Sequence, residues 1–217
     1  MKFSTIESAV EDIRNGKQII VVDSKDRENE GDLVMASELV TPEKINFMAK
    51  EGRGLICVSL TKERALELDL EIVQNKNTSL HETNFTVSVD AKNNTTTGIS
   101  AFDRSETIRV LLHNKSKAKD LARPGHIFPI VGKDGGVLRR AGHTEASIDL
   151  SILSGLKPSG VICEIMDDDG SMSRGESLQK FSEKHNLKII SIDDLIHFRR
   201  KKQKLVEKVE EIKLPTK

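Results

Sequence analysis

Apolar positions along the chain switch repeatedly between helical spacing and short β-branched runs. Ser4-Thr5-Ile6-Glu7 has the form of a capping box ahead of Ile6, Ala9, Val10 and Ile13, with Gly16 as a stop. Residues 18–22 then set Ile19, Ile20, Val21 and Val22 in a row and predict a buried strand. Residues 33–36 predict a second short strand. Thr41-Pro42-Glu43 opens a helix with Pro at its first position, and Gly52 ends it. Residues 54–60 read as a strand, and Thr61 caps a short helix through Leu68. The polar stretch 73–82 has no period and reads as a long loop. Residues 85–89 alternate apolar and polar positions, as a half-buried strand does. Asp103 and Glu106 frame another capping box before Ile108, Val110, Leu111 and Leu112. Residues 127–131 predict a strand whose Pro129 points to an edge or a bulge. A helix over 144–153 ending at Gly155, a strand over 161–166, a helix over 176–185 and a strand over 188–192 follow. A last helix begins near Asp193 and becomes strongly charged after Phe198.

No repeat and no linker interrupts residues 1–198. The pattern therefore predicts one α/β domain of the α+β type, a mixed β-sheet flanked by helices, over 1–198, and a charged helical tail or connector over 199–217. Neither a Gly-x-Gly-x-x-Gly fingerprint nor a phosphate loop is present, so nucleotide binding has no local support.

Composition narrows the partners. The 217 residues carry 34 Lys and Arg against 34 Asp and Glu, and contain no Trp or Tyr. A zero net charge argues against nucleic acid, and the missing aromatics argue against base stacking. No apolar run is long enough to span a membrane. The first 16 residues lack the apolar core of a signal peptide, which makes the cytoplasm the expected compartment. Cys57 and Cys163 each sit in an apolar run and are expected as reduced, buried thiols.

Four places hold candidate chemistry. Asp23-Ser24-Lys25-Asp26-Arg27-Glu28-Asn29-Glu30-Gly31-Asp32 follows a buried strand and packs five acids into ten residues. Such acids repel unless a cation neutralises them, and hard cations such as magnesium favour carboxylate oxygens; a solvated turn is the plainer alternative. Arg123-Pro124-Gly125-His126 holds a His on a stiff turn, where it is either structural or catalytic. Residues 135–146 bring Gly-rich chain, Arg140, Ala141, Gly142, His143 and Thr144 to the start of a helix. Free N–H groups and a partial positive charge there suit a phosphate. Surface charge and simple capping are the alternatives. Glu164 lies in an otherwise apolar strand, either on an exposed face or in a site that raises its pKa.

Taken together, Asp26-Arg27-Glu28-Asn29-Glu30-Gly31-Asp32, Thr96-Thr97-Gly98-Ile99-Ser100-Ala101, Arg123-Pro124-Gly125-His126, Gly142-His143-Thr144-Glu145-Ala146 and Gly160-Val161-Ile162-Cys163-Glu164 closely resemble the 3,4-dihydroxy-2-butanone 4-phosphate synthases of riboflavin biosynthesis. The five motifs occur in the family's order and span roughly residues 5–198.

The resemblance implies a magnesium-dependent carbon-carbon lyase, with manganese as a substitute ion. It would convert D-ribulose 5-phosphate into L-3,4-dihydroxy-2-butanone 4-phosphate and lose carbon 4 as formate. Metal-assisted enediolate formation and skeletal rearrangement would be the route. Glu28 and His143 would ligate the metal, with Glu30 as an outer-sphere or second-metal contact. Arg27, Glu28, Asp32 and Glu164 would contact the sugar. Arg140, Ala141, Gly142, His143 and Thr144 would form the substrate loop, with Arg140 and Thr144 on the phosphate. His126 and Glu164 would be the catalytic pair. The resemblance also implies a homodimer with active sites near its interface, and no nucleic-acid or membrane partner. The tail over 199–217, with eight basic and three acidic residues, resembles the connector that leads into a GTP cyclohydrolase II domain in bifunctional relatives.

Overall fold

The computed structural model describes residues 1–72 and 83–202. The loop expected over 73–82 and the tail beyond Lys202 lie outside the described residues. Seven strands form one mixed sheet: β1 Ile19–Val22, β2 Gly31–Ala36, β3 Cys57–Leu60, β4 Val89–Ala91, β5 Leu121–Val131, β6 Gly160–Glu164 and β7 Ile189–Ser191. Their order is β4-β5-β3-β6-β2-β1-β7. The β1–β7 and β3–β5 pairs are parallel and the other four antiparallel.

Helices cover both faces, which is why the central strands are buried along their whole length. On one face Leu33, Met35, Val58, Val161 and Cys163 pack against α2 (Pro42–Phe47), α3 (Lys62–Glu67), α4 (Ala101–Leu112) and α6 (Glu176–His185). On the other, Val21, Val34, Cys57, Ile130 and Ile162 pack against α1 (Ile6–Arg14), α5 (His143–Leu153) and α7 (Ile192–Lys202). Cys57 and Cys163 are both free and buried, and burial raises both thiol pKa values.

Five expectations shift in detail. The cap of α1 is Thr5 rather than Ser4, because the Thr5 hydroxyl accepts the Ser8 N–H. Helix α4 begins earlier than Asp103, with Ser100 as its cap; Asp103 instead turns back and accepts N–H groups of Thr96 and Gly98. Residues 85–88 form only bridges before β4 begins at Val89; Val89 is buried and Val87 packs on the core as expected, but Phe85 is exposed and Thr86 buried, the reverse of the expected phase at that end. Pro129 marks no edge, since β5 lies between β3 and β4 and begins at Leu121. The irregularity sits upstream, where the β4 register jumps from Ala122 to Ile127. The jump leaves residues 123–126, including His126, outside the ladder. The boundary expected between residues 198 and 199 falls inside α7, which runs on to Lys202.

Candidate active site

The β-strand alternation collects the candidate side chains on the α5 face. Asp32 and Glu164 are directly paired across β2 and β6. Both share parity with Val34 and Ile162, which face α5. Two residues upstream of Cys57, Leu55 fills the next lane, and its N–H donates to Glu164 Oε2 at 2.8 Å. One strand further, His126 has the parity of Phe128 and Ile130. Its ring Nδ1 lies 2.7 Å from Asp90 Oδ2, and its backbone N–H donates to Asp90 Oδ1 at 2.9 Å. Cys57 is in register with both Phe128 and Ile162, so His126 and Glu164 lie on strands two places apart in the sheet.

The acidic segment after β1 is wound around Asp23. Its two carboxylate oxygens accept the N–H groups of Glu28 and Glu30 and the Arg27 guanidinium. Arg27 also donates to Glu28 Oε2 at 2.9 Å. The segment is a folded loop rather than an extended strand, so Glu28 and Glu30 diverge: Glu30 pairs with Arg174 at 2.7 Å, whereas Glu28 faces His143.

His143 is the first residue of α5 and is buried. Its Nε2 lies 3.1 Å from the Val21 carbonyl oxygen. A carbonyl can only accept, so Nε2 carries the proton and the Nδ1 lone pair is left facing the acids. Nδ1 stands 3.8 Å from Glu28 Oε2 and 3.9 Å from Asp32 Oδ1. Burial lowers the His143 pKa and keeps the ring neutral, as a metal ligand must be.

Asp32 is buried, and among the described residues no hydrogen-bond donor reaches its carboxyl. Burial raises its pKa well above the ordinary value, with the charges of Glu164, Glu28, Asp23 and Glu30 adding to the effect. Burial also raises Glu164, against the hydrogen bond from Leu55. Glu30 is raised by burial, and Arg174 opposes the shift.

These residues fit a divalent cation. Two ligands of one magnesium ion, each about 2.1 Å from it, can lie at most about 4.2 Å apart, and the Nδ1 separations above fall within that limit. One ligand atom each from Asp23, Glu28 and His143 also lies within 4.8 Å of the other two. Asp23 is the less apt ligand, because its oxygens already hold the loop.

On the far side of the α5 start, Arg140 donates to Glu145 Oε2 at 2.7 Å and to the Thr83 hydroxyl at 2.9 Å. Gly142 occupies the N-cap without a side-chain bond, Ala141 is exposed, and Thr144 is buried in the first turn. An uncapped helix start leaves its first N–H groups for an anion.

The fold thus gathers Arg27, Glu28, Asp32, His143 and Glu164, with His126 on one flank and Arg140 and Thr144 on the other. Sequence reasoning counted Asp23 only among the five acids a cation would neutralise and Glu145 only within a motif, and it assigned no role to Asp90, Gly54 or Leu55. Only Asp23, an Asx-type residue at a strand end, carried a local signal.

A family model for 3,4-dihydroxy-2-butanone 4-phosphate synthase matches residues 7–198. The riboflavin biosynthesis protein RibBA of Aquifex aeolicus is 60% identical over 217 residues, covering 99% of this chain and 53% of that protein. A chloroplastic bifunctional riboflavin biosynthesis protein of Arabidopsis thaliana is 54% identical over 216 residues, covering 99% of this chain and 40% of its own length. The chain thus spans about half the length, or less, of these relatives. A crystal structure of 3,4-dihydroxy-2-butanone 4-phosphate synthase in complex with two magnesium ions superposes with a TM-score of 0.88 at 40% identity, covering 92% of this chain and 98% of that one. A two-domain synthase from A. baumannii superposes with a TM-score of 0.92 at 46% identity, covering 98% of this chain and 63% of that one.

Proposed function

Since the chain belongs to the 3,4-dihydroxy-2-butanone 4-phosphate synthase family, we propose that it converts D-ribulose 5-phosphate into L-3,4-dihydroxy-2-butanone 4-phosphate and formate, as a magnesium-dependent lyase of riboflavin biosynthesis. The observation that carries this reading is the His143 Nδ1 lone pair held toward Glu28 and Asp32. Glu28 and His143 would hold the ion, with Asp32 beside them. A divalent ion there supplies a Lewis acid for the ketone and neighbouring hydroxyl oxygens of a sugar; manganese, with similar oxygen and imidazole preferences, would substitute.

Glu164, with its raised pKa, is suited to take a carbon-bound proton near neutral pH and to return it later. Asp90 accepts the Nδ1–H of His126, which leaves the Nε2 lone pair to act as the second base. Arg27 and Asp32 orient the sugar. Arg140, Thr144 and the uncapped start of α5 take the phosphate, with Ala141 and Gly142 supplying backbone. The carbon skeleton rearranges between the two proton transfers, and carbon 4 leaves as formate.

The protein acts as a homodimer in this reading. Phe102, 71% exposed, and Ile99, 54% exposed, give the α4 start an apolar surface beside His126, suited to a second copy. Its compartment is the cytoplasm, consistent with two unpaired buried thiols. Among the described residues no helix is long and apolar enough to cross a membrane.

The test is incubation with ribulose 5-phosphate and magnesium, followed by assay for formate and the four-carbon phosphate. Both products in equal amounts, abolished by excess chelator, are expected. Isomerised pentose without formate would replace the reading with an isomerase, and binding without product would make the chain a non-catalytic module.

A further inference from the structure

The loop that carries the phosphate-binding Arg140 is held from beneath by two buried acids of α5, one turn apart. Glu145 takes the Lys133 N–H at 3.0 Å through one oxygen and Arg140 through the other. Asp149 takes the Val137 N–H at 2.8 Å and the Arg199 guanidinium at 2.6 Å. Arg199 belongs to the last turns of α7, yet its side chain is only 11% exposed. The same Nη1 also donates to the Gly135 carbonyl at 2.9 Å.

These contacts converge on the backbone of residues 135–137. A Cβ on Gly136 would stand 2.2 Å from Asp149 Oδ1 and 2.5 Å from Arg199 Nη1, and the residue has φ +61°. Only glycine allows the ion pair to approach the chain this closely. Three residues later the chain reaches Arg139, whose N–H, like that of Arg140, donates to the Gly136 carbonyl. The position of Gly136 therefore sets the position of Arg140.

We propose that Asp149 and Arg199 are positioning residues for the phosphate loop, forming a latch that ties residues 135–142 to α7. The proposal rests on the assignment of Arg140 and the α5 start to the substrate phosphate. It gives Arg199 a part in substrate binding although the sequence places it at the head of the charged tail.

The latch predicts an effect on phosphate binding rather than on the chemical step. Arg199→Ala should raise KM for ribulose 5-phosphate, and the dissociation constant of inorganic phosphate as a competitive probe, on the order of tenfold. The turnover number should change little. Asp149→Asn keeps an acceptor for Val137 and loses the charge, so it should shift both constants in the same direction by less. Arg199→Lys should recover part of the loss. Amide exchange should quicken over residues 135–142 while the β2 and β6 amides keep their protection. Arg14→Ala, which removes an α1 contact to the Ser154 carbonyl remote from the loop, is the control for a general loss of stability. Unchanged KM and phosphate affinity in a folded Arg199→Ala protein would overturn the proposal, as would the same KM shift in the Arg14 control. An inactive parent that still binds phosphate would count against the functional reading alone, since phosphate affinity and exchange continue to report on the latch.

Discussion

Asp32 and Glu164 face each other across adjacent antiparallel strands at the edge of the candidate metal site, and burial favours the protonated form of both. Two such groups are costly to ionise together unless a cation is present. The pair therefore lowers the stability of the metal-free protein while preparing the site for an ion.

The pH dependence follows from the direction of the Asp32 shift. A carboxyl whose folded pKa is raised binds its proton more tightly in the folded than in the unfolded chain. That stabilisation is complete below the ordinary carboxylate pKa of about 4 and is lost as pH rises through the raised folded value. Metal-free Asp32→Asn should therefore melt above the parent at neutral pH, by on the order of 3 °C, and the gap should close on acidification. Magnesium should raise the melting temperature of the parent more than that of the variant. A variant that melts below the metal-free parent at neutral pH would contradict the argument.

His143→Ala removes a neutral nitrogen donor whose orientation the Val21 carbonyl fixes. Calorimetric titration should show magnesium or manganese affinity reduced by at least roughly 10–100-fold, the loss found even for groups that only support a ligand. The thermal stability of the metal-free protein should change far less than its response to metal. Unaltered affinity would remove His143 from the ligand set.

Gly54 is the close-approach position beside Glu164. A Cβ there would stand 2.5 Å from both the Glu164 carbonyl oxygen and Oε2, so Gly54→Ala must push the carboxylate away from the Leu55 N–H. Steady-state kinetics should show the turnover number down on the order of 100-fold, because a displacement near 1 Å suffices for that. Metal affinity should persist. Full activity would mean that the position of Glu164 is not critical.

Asp90→Asn tests the His126 flank. The carboxylate accepts from both the backbone and the ring of His126; an amide can accept with only one of its two ends. The ring then loses its enforced tautomer, and the turnover number should fall about 100- to 10,000-fold with little change in metal binding. Wild-type turnover would show that His126 needs no orienting partner.

The layered architecture was legible because the apolar runs at residues 19–22 and 161–163 fit strands covered on both faces. The candidate ligands Glu28 and His143 stood out in the sequence because they lie in motifs with strong local character. What escaped were pairs made by topology. Nothing local links Asp90 to His126, 36 positions away, or Asp149 to Arg199, 50 positions away. Each pair exists because strand order and helix packing bring two elements together. Cap positions slipped by one to three residues at Thr5 and Ser100, where adjacent hydroxyls and acids offer competing acceptors.

The most direct test of the account follows carbon 4 of the substrate. With ribulose 5-phosphate labelled at carbon 4 and magnesium present, the label should appear quantitatively in formate, and the four-carbon phosphate should carry none. Label retained in a four-carbon or five-carbon product, or formate without label, would contradict the proposed reaction.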